Sequence, residues 1–191
     1  VRYITNYSSG KMGYNLARCA RNMGAEVILL SGPGNLEKPY GIHVVPITTT
    51  KDLLEESKKY YEDSDFIICA AAPADYKPKS FSQQKIKKQD GDLSIELDRN
   101  PDVLKYMGEH KTHQKICGFA AESENLIENA NEKLNKKNCD MLVANNITQK
   151  DAGFKSDNNR VTILKKDSKT ELDLMSKEEL AKIILKELCQ C

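Results

Sequence analysis

Tryptophan is absent from the sequence, and histidine occurs only three times in 191 residues. Nucleophilic enzymes of the Ser–His–Asp and Cys–His types activate their nucleophile with a histidine base, so a chain with so few histidines disfavours both. His110 and His113 stand in "HKTH" without cysteine or carboxylate neighbours at the spacing of a zinc site. The sequence therefore predicts no histidine-centred triad and no metal ligands among its side chains.

An excess of charge of one sign is also missing, as is any long apolar run. The 29 basic and 28 acidic residues leave a formal net charge of +1, so no global field favours nucleic acid. No apolar run approaches the roughly 20 residues that span a bilayer, and no signal-peptide pattern occurs. We expect one globular domain over residues 1–191, located in the cytoplasm, with no nucleic-acid or membrane partner.

The six cysteines include no C-x-x-C pair. A domain of this size does not need disulfide bonds for stability. Cys69 and Cys117 lie in apolar, strand-like runs, and Cys19 shares a helical face with apolar residues. The pattern favours reduced thiols.

Helical stripes alternate with apolar strands along the chain. Helices are expected over residues 12–23, 51–61, 125–137 and from 176 onward, and another at "RNPDVLKYMGEH". Their predicted start signals are Thr50 as one N-cap, Asn100 as another with Pro101 after it, and a capping box of Ser176 and Glu179. Strands are expected at residues 27–30, "HVVPIT", "DFIICAAA", "KICGFAA" and "MLVAN". This order predicts an α/β fold with a Rossmann-like, open, mostly parallel sheet and helices on both faces.

Three further segments alternate apolar and polar residues: "LSIELD", "RVTILKK" and "TELDLM". Such alternation is typical of exposed antiparallel strands with one apolar face. We expect them to form a small antiparallel sheet that projects from the main one. Its apolar face is buried either against a second subunit, as a dimerisation sheet, or back on the same domain.

In an open α/β sheet, ligands bind outside the carboxyl ends of the strands. Four clusters lie after strands or before helices: "NYSSGKMG", "AAAPADY" with "KIKK" following, "GFAAE" and "ANN". The first matches neither G-x-G-x-x-G nor a Walker A loop, although its hydroxyls and backbone N–H groups suit an anion at a helix N-terminus. The alternative is that Ser8 or Ser9 merely caps the helix.

The stretch "AAAPADYKPKSFSQQKIKK" is a polar loop of about 20 residues, and loops of that length in compact domains are usually functional. Its small residues allow a base or ribose to approach the backbone, and Asp75 can accept a hydrogen bond from a hydroxyl. Lys85, Lys87 and Lys88 suit a polyphosphate, while a solvated lysine face is the alternative.

Taken together, the motifs resemble phosphopantothenoylcysteine synthetases. The resemblance is closest to the synthetase half of the bacterial bifunctional phosphopantothenoylcysteine decarboxylase/phosphopantothenate–cysteine ligases of coenzyme A biosynthesis. It rests on "VRYITNYSSGKMG", "AAAPADYKP", "KIKK", "RNPDVL", "GFAAE", "KLNKKNCDMLVANN" and "GFKSDNN", which follow in consistent order from the first residue to the last helix.

The resemblance implies a ligase that uses CTP as co-substrate with Mg²⁺. The carboxylate of 4′-phosphopantothenate would attack the α-phosphate of CTP and release pyrophosphate, and the amine of L-cysteine would then expel CMP from the acyl-cytidylate. It also implies a homodimer, and FMN only where a decarboxylase domain lies upstream. Because no protein nucleophile is needed, positioning and charge stabilisation would supply the catalysis.

The resemblance also implies roles for individual residues. Asn6, Arg2 and Lys85 would be catalytic, with Asn6 at the acyl-nucleotide, Arg2 steering an anionic substrate and Lys85 reaching the triphosphate across a dimer interface. The implied nucleotide-binding residues are Ser8, Ser9, Gly10, Ala71, Ala72, Asp75, Lys85, Phe119, Lys133 and Lys137.

Members of that family begin with a strand and a glycine-rich turn upstream of the first matched motif, and we expect residues 1–191 to lack that segment. Two other classes remain open from the residues alone: a Rossmann-like NAD(P)-binding oxidoreductase, and a non-catalytic nucleotide-binding or dimerisation module. An oxidoreductase should carry G-x-G-x-x-G after its first strand, and this sequence has none. The residues do not decide between CTP and ATP.

Overall fold

A computed structural model describes residues 4–82, 84, 94–122, 124–146 and 156–191. In these ranges the helices are α1 (Lys11–Asn22), α2 (Thr50–Tyr61), α3 (Val103–Glu109), α4 (Leu126–Lys136) and α5 (Lys177–Leu188). The strands in the first half are β1 (Ile28–Ser31), β2 (His43–Pro46), β3 (Phe66–Cys69), β4 (Tyr76–Pro78) and β5 (Leu97–Arg99). The later strands are β6 (Lys115–Glu122), β7 (Met141–Asn146), β8 (Asn158–Asn159), β9 (Val161–Lys165), β10 (Ser168–Glu171) and β11 (Met175–Ser176).

The main sheet of the described residues has five strands in the order β10-β9-β7-β6-β3. Strands β3, β6 and β7 are parallel, whereas β9 runs antiparallel to β7, and β10 antiparallel to β9. Strands β1 and β2 form a separate parallel pair. The α/β class predicted from the sequence is confirmed, with a mixed sheet.

Helices cover both faces of the main sheet because its central strands are apolar on both faces. Met141 and Val143 of β7 pack with residues of α1 and α5, including Leu16 and Leu180. The alternate residues of β7, such as Leu142, pack with α4. The side-chain period of two along a strand therefore places α1 and α5 on one face and α4 on the other.

Two helix starts differ from the prediction. Thr49, not Thr50, is the N-cap of α2, in a capping box with Asp52. Asp102, not Asn100, caps α3 by accepting a hydrogen bond from the backbone N–H of Lys105 at 2.9 Å. The sequence offered adjacent cap-forming residues at both places, and the residue with extended backbone and an oxygen in reach is the cap. The predicted capping box of Ser176 and Glu179 on α5 is confirmed.

The prediction of a projecting sheet was wrong for "RVTILKK". Strand β9 lies inside the main sheet and is almost entirely buried. Strand β10, which ends with the first two residues of "TELDLM", pairs with β9 at the sheet edge. Apolar residues on both faces of β9, such as Ile163 and Leu164, explain this burial. Of "LSIELD", Leu97 and Asp98 lie in β5, which pairs only with β4 among the described residues, and both strands are exposed. For this segment the projecting sheet stays a prediction.

None of the helices in the described ranges is long and apolar enough to cross a membrane.

Candidate functional site

The opening loop and the loop after β3 meet at one edge of the sheet. The side-chain amide of Asn6 donates a hydrogen bond through Nδ2 to the carbonyl oxygen of Ala72 at 2.8 Å, and lies 3.4 Å from that of Pro73. Because β3, β6 and β7 are parallel, their carboxyl ends share this edge. The structure therefore brings Asn6 and Ala72, separated by 66 residues, to the place where the sequence predicted a ligand.

Helix α1 begins directly after this loop, without a side-chain cap. Gly10 is its N-cap, in the left-handed region at φ 74°, and neither Ser8 nor Ser9 caps the helix. The capping alternative considered for these serines is therefore wrong. A residue with a side chain would be strained at this backbone angle, which explains glycine at position 10.

The loop after β3 is held in place by Asn100, which precedes α3. Its Nδ2 donates to the carbonyl oxygen of Ala74 at 2.8 Å, and its backbone N–H donates to that of Asp75 at 2.8 Å. Asn100 therefore fixes this loop instead of capping the helix. Ala71 and the side chain of Asp75 stay exposed, where a ligand can reach them.

Lys133 connects α4 to the end of β6. Its ammonium group donates to the backbone carbonyl of Phe119 at 2.8 Å. The Phe119 side chain is partly buried and packs against the core under α1 and α5. The two predicted residues are thus in contact, but the ring faces the opposite side of the sheet from α4.

Lys137 forms an ion pair with Asp102, the N-cap of α3. Burial is the largest influence on the pKa of Asp102 and raises it, but hydrogen bonds from Lys137 and Lys105 outweigh burial and hold the pKa below its usual value. Lys133 and Lys137 also line a shallow groove of about 260 Å³ with Asn129, Glu132 and Lys136. Three lysines and one glutamate thus line this groove.

Arg2 and Lys85 lie outside the described residues, as do Lys87 and Lys88. Where the structure describes the chain, no three His, Cys, Asp or Glu side chains converge as a metal site.

Sequence reasoning missed a charged cluster that joins the first turns of α1 and α5. Lys11 forms an ion pair with Asp157 at 2.6 Å, and the buried Lys177 donates to the carbonyl oxygen of Ser156 at 2.5 Å. Burial and then the charge of Lys11 lower the pKa of Lys177, and Asp157 opposes them. The motif "GFKSDNN" contains Asp157, but no local pattern indicates a partner 146 residues away.

All six cysteines are free thiols, as expected. Burial raises the pKa of Cys69 to about 12 and that of Cys139 to about 11. Asp102 raises and Lys133 lowers the pKa of Cys69, so both charges act near the end of β3. Thiols with such pKa values are poor nucleophiles at neutral pH.

Comparison with known proteins adds independent information. The family model of the C-terminal domain of DNA/pantothenate metabolism flavoproteins matches residues 1–191. The coenzyme A biosynthesis bifunctional protein CoaBC of Bacillus subtilis is 45% identical over 190 residues, which are 98% of this chain and 47% of that protein. CoaBC of Borreliella burgdorferi is 44% identical over 189 residues, 97% of this chain and 47% of that protein.

A crystal structure of the C-terminal domain of CoaBC superposes with a TM-score of 0.83 at 42% identity. It covers 98% of this chain and 85% of that one. The chain spans about half the length of the curated relatives it matches.

Proposed function

This chain belongs to the family of C-terminal domains of DNA/pantothenate metabolism flavoproteins, and on that premise we propose that it is a phosphopantothenate–cysteine ligase of coenzyme A biosynthesis. The similarity to CoaBC proteins at 44–45% identity over nearly the whole chain supports the proposal. The observation that carries it is the hydrogen bond from Asn6 to Ala72, which joins two of the motifs at the edge where the parallel strands end.

The proposed reaction has two steps and balances without a protein nucleophile. A carboxylate oxygen of 4′-phosphopantothenate attacks the α-phosphorus of CTP, and the α–β phosphoanhydride bond breaks to release pyrophosphate. The amine of L-cysteine then attacks the acyl carbonyl, CMP leaves, and the amine loses a proton as the amide forms. Activation is needed because an ionised carboxylate has no adequate leaving group.

Asn6 is proposed to orient the acyl-nucleotide. Its Nδ2 is engaged by the carbonyl of Ala72, which fixes the plane of the amide and directs Oδ1 away from that carbonyl. Oδ1 can then accept a hydrogen bond from the attacking cysteine amine. Because the loop is preorganised, this contact needs little rearrangement during reaction.

The nucleotide is proposed to lie between the loop after β3 and α4. Ala71 and Ala72 leave room for the nucleoside, and Asp75 accepts from a ribose hydroxyl or a base N–H. Lys133 and Lys137 face the phosphates. Since Lys137 already pairs with Asp102, a polyphosphate must compete with that carboxylate, and this favours a ligand of high charge.

Further parts of the proposal concern residues 1–10 and the cofactor. Ser8, Ser9 and Gly10 offer hydroxyl and N–H donors to a phosphate, while Arg2 and Lys85 are proposed to steer and stabilise anionic substrate groups. Mg²⁺ is proposed to enter with the triphosphate, because Mg²⁺ is commonly bound through substrate phosphates with only one or two carboxylates. Charge neutralisation of the leaving pyrophosphate is the chemistry it supplies.

A homodimer is the proposed assembly. One face of the β4–β5 hairpin carries the exposed residues Tyr76, Ile95 and Leu97. Its other face holds an ion pair of Lys79 and Glu96. Arg99 lies on the first face as well, with its guanidinium over the Tyr76 ring. A largely apolar face opposed to a charged one suits association with a second copy of the chain.

The test is a ligation assay with CTP, Mg²⁺, 4′-phosphopantothenate and L-cysteine. We expect stoichiometric pyrophosphate, CMP and phosphopantothenoylcysteine, detected by coupled assay and mass spectrometry, and a parallel assay with ATP measures nucleotide preference. Nucleotide binding without pyrophosphate release would indicate a binding module and contradict the ligase. Hydride transfer from NAD(P)H would indicate an oxidoreductase.

A further inference from the structure

Gly108 lies in the last turn of α3, where a glycine needs an explanation. Its φ lies outside the left-handed region, and glycine inside a helix is less favourable than alanine. A Cβ atom at this position would overlap the carbonyl oxygen of Lys137 and lie 3.3 Å from Cβ of Asn138. The backbone at the end of α4 therefore occupies the space that a side chain at position 108 would need, and glycine permits this close approach of α3 and α4.

Asn138 joins the two helices from the α4 side. Its backbone is left-handed at φ 50°, and its N–H donates to the carbonyl oxygen of Asn135 at 3.1 Å. The N–H of Cys139 donates to the carbonyl oxygen of Leu134 at 3.0 Å, which completes a Schellman motif. Glycine is the usual left-handed residue of this motif, but Asn138 adds a hydrogen bond from Nδ2 to the carbonyl oxygen of Gly108 at 2.9 Å. The end of α4 needs only a left-handed residue, so the amide serves the contact with α3.

Lys137 lies between these contacts, and α3 holds it at two points. Its carbonyl oxygen fits against Gly108, and its ammonium group pairs with Asp102 at the start of α3. Asp102 and Gly108 are six residues apart, which is about 9 Å along a helix. The Lys137 side chain is only 14% exposed, so it has little room to reorient. The two contacts with α3 therefore fix both the backbone and the side-chain direction of Lys137.

We propose that Gly108 and Asn138 are positioning residues that hold the ammonium group of Lys137 where the nucleotide triphosphate binds. This inference rests on the proposed function, in which Lys137 faces the phosphates of CTP. Gly108 and Asn138 act through Lys137 and contribute no ligand of their own. A lysine side chain loses conformational entropy when it binds a phosphate, and a backbone that is already fixed reduces this cost. The contact between α3 and α4 thus raises the affinity for the nucleotide.

Asn138→Gly tests the inference, because glycine keeps the left-handed end of α4 and removes only the Nδ2 donor. The melting temperature should fall only slightly. The Kd for CTP from calorimetry and the KM for CTP should rise about 3- to 10-fold, the size expected for one hydrogen bond. The kcat and the KM values for 4′-phosphopantothenate and L-cysteine should stay nearly unchanged. Gly108→Ala should raise the same Kd at least as much, because the end of α4 must move away from α3.

Tyr61→Phe is the matched control. Tyr61 donates from its hydroxyl to the carbonyl oxygen of Met107, next to Gly108 in α3, but it belongs to α2. The variant should lower the melting temperature and leave the Kd for CTP unchanged, because the contact between α3 and α4 is kept.

Lys137→Gln provides the readout that a purely structural role would not change. In this background Asn138→Gly should no longer alter the Kd for CTP, since both substitutions act on the same ammonium group. A rise by the same factor in wild type and in Lys137→Gln would overturn the inference. An unchanged Kd for CTP in Asn138→Gly, or an equal rise in Tyr61→Phe, would overturn it too.

The nucleotide-binding measurement also separates this inference from the proposed function. If wild type binds CTP but forms no product, the proposed function fails, and the Kd values of the variants still test the positioning role. If wild type binds no CTP, both fail. Should Gly108→Ala not fold, Asn138→Gly decides the matter, since its Schellman motif is retained.

Discussion

Asn6 illustrates how one side chain can serve both the fold and the proposed chemistry. A carboxamide has a donor and an acceptor at fixed geometry, and the Asn6 donor is already bonded to the carbonyl of Ala72. The sequence predicted Asn6 as a site residue through its motif, but it gave no indication of this bond. The partner is 66 residues away, and α1 lies next to the end of β3, where Gly13 approaches Ala70.

Replacement of Asn6 by aspartate should therefore impair the second step of the reaction. The shape is kept, but a carboxylate replaces the Nδ2 donor and is repelled by the carbonyl of Ala72, so the side chain should leave its position. We expect kcat for amide formation to fall about 100- to 1,000-fold, a size typical of losing one preorganised hydrogen bond at a reaction centre. The acyl-cytidylate should accumulate, and rapid quench with mass spectrometry measures it.

Asn135→Asp is the control for this prediction. Asn135 also donates from Nδ2 to a backbone carbonyl, that of Asn131 at 3.0 Å, but on the exposed surface of α4. Its turnover should match wild type. Wild-type kinetics in Asn6→Asp would remove Asn6 from the catalytic residues.

At the scale of elements, the sequence indicated where helices lie better than where they begin. Residues 99–105 offer Asn100, Pro101 and Asp102 in a row, and the local pattern favoured Asn100 as the cap. In the structure Asn100 forms a hydrogen bond to the loop after β3, and Asp102 caps α3. A long-range contact therefore decides which of two neighbouring residues is the N-cap, and local helix propensities carry no information about that contact.

Asp102 both caps α3 and forms an ion pair with Lys137. Two substitutions separate the contributions of these contacts to stability. Asp102→Ala removes both, so the free energy of unfolding should fall by about 1 kcal/mol from the cap with a smaller loss from the half-exposed ion pair. Asp102→Asn keeps an oxygen for the N–H of Lys105 and loses only the charge, so it should lie between Asp102→Ala and wild type. Urea unfolding at pH 7 measures these differences, and Asp63→Ala, at an exposed aspartate after α2, should stay within about 0.5 kcal/mol of wild type.

The same variants predict a pH dependence. Because the pKa of Asp102 is lowered on folding, its charge stabilises the fold above the ordinary value of 3.8, and this stabilisation is lost as the pH falls through the folded-state pKa. The difference in stability between wild type and Asp102→Asn should therefore shrink on acidification below about pH 4. A difference that stayed constant from pH 7 to pH 3 would contradict a role for this charge.

At the scale of the whole molecule, the sequence predicted the α/β class but not the sheet order. "RVTILKK" alternates like an exposed strand when its lysines are counted, yet residues 161–164 are apolar or threonine and buried on both faces. Its place beside β7, and the antiparallel β10 outside it, depend on pairings that no local pattern encodes. The ion pair of Lys11 with Asp157 cannot be predicted from local sequence for the same reason.

The exposed β4–β5 hairpin is the part of the molecule where the proposed assembly can be tested. Leu97 is 46% exposed on the hairpin's apolar face, beside Tyr76 and Ile95. Leu97→Asp would place a charge in a dimer contact but leave the folded subunit intact, because Leu97 contributes nothing to the buried core. We expect the variant to shift from dimer to monomer in analytical ultracentrifugation, with an unchanged melting temperature for the monomer at low concentration.

Leu174→Asp gives the matched comparison, since Leu174 is similarly exposed at 40% but lies between β10 and β11. It should sediment as wild type. If Lys85 reaches the triphosphate across the dimer, as the family resemblance implies, Leu97→Asp should also lose turnover, and turnover should recover in part as protein concentration restores the dimer. Unaltered sedimentation of Leu97→Asp would exclude the hairpin as the dimer contact, and a fully active monomer would show that the site is complete within one chain.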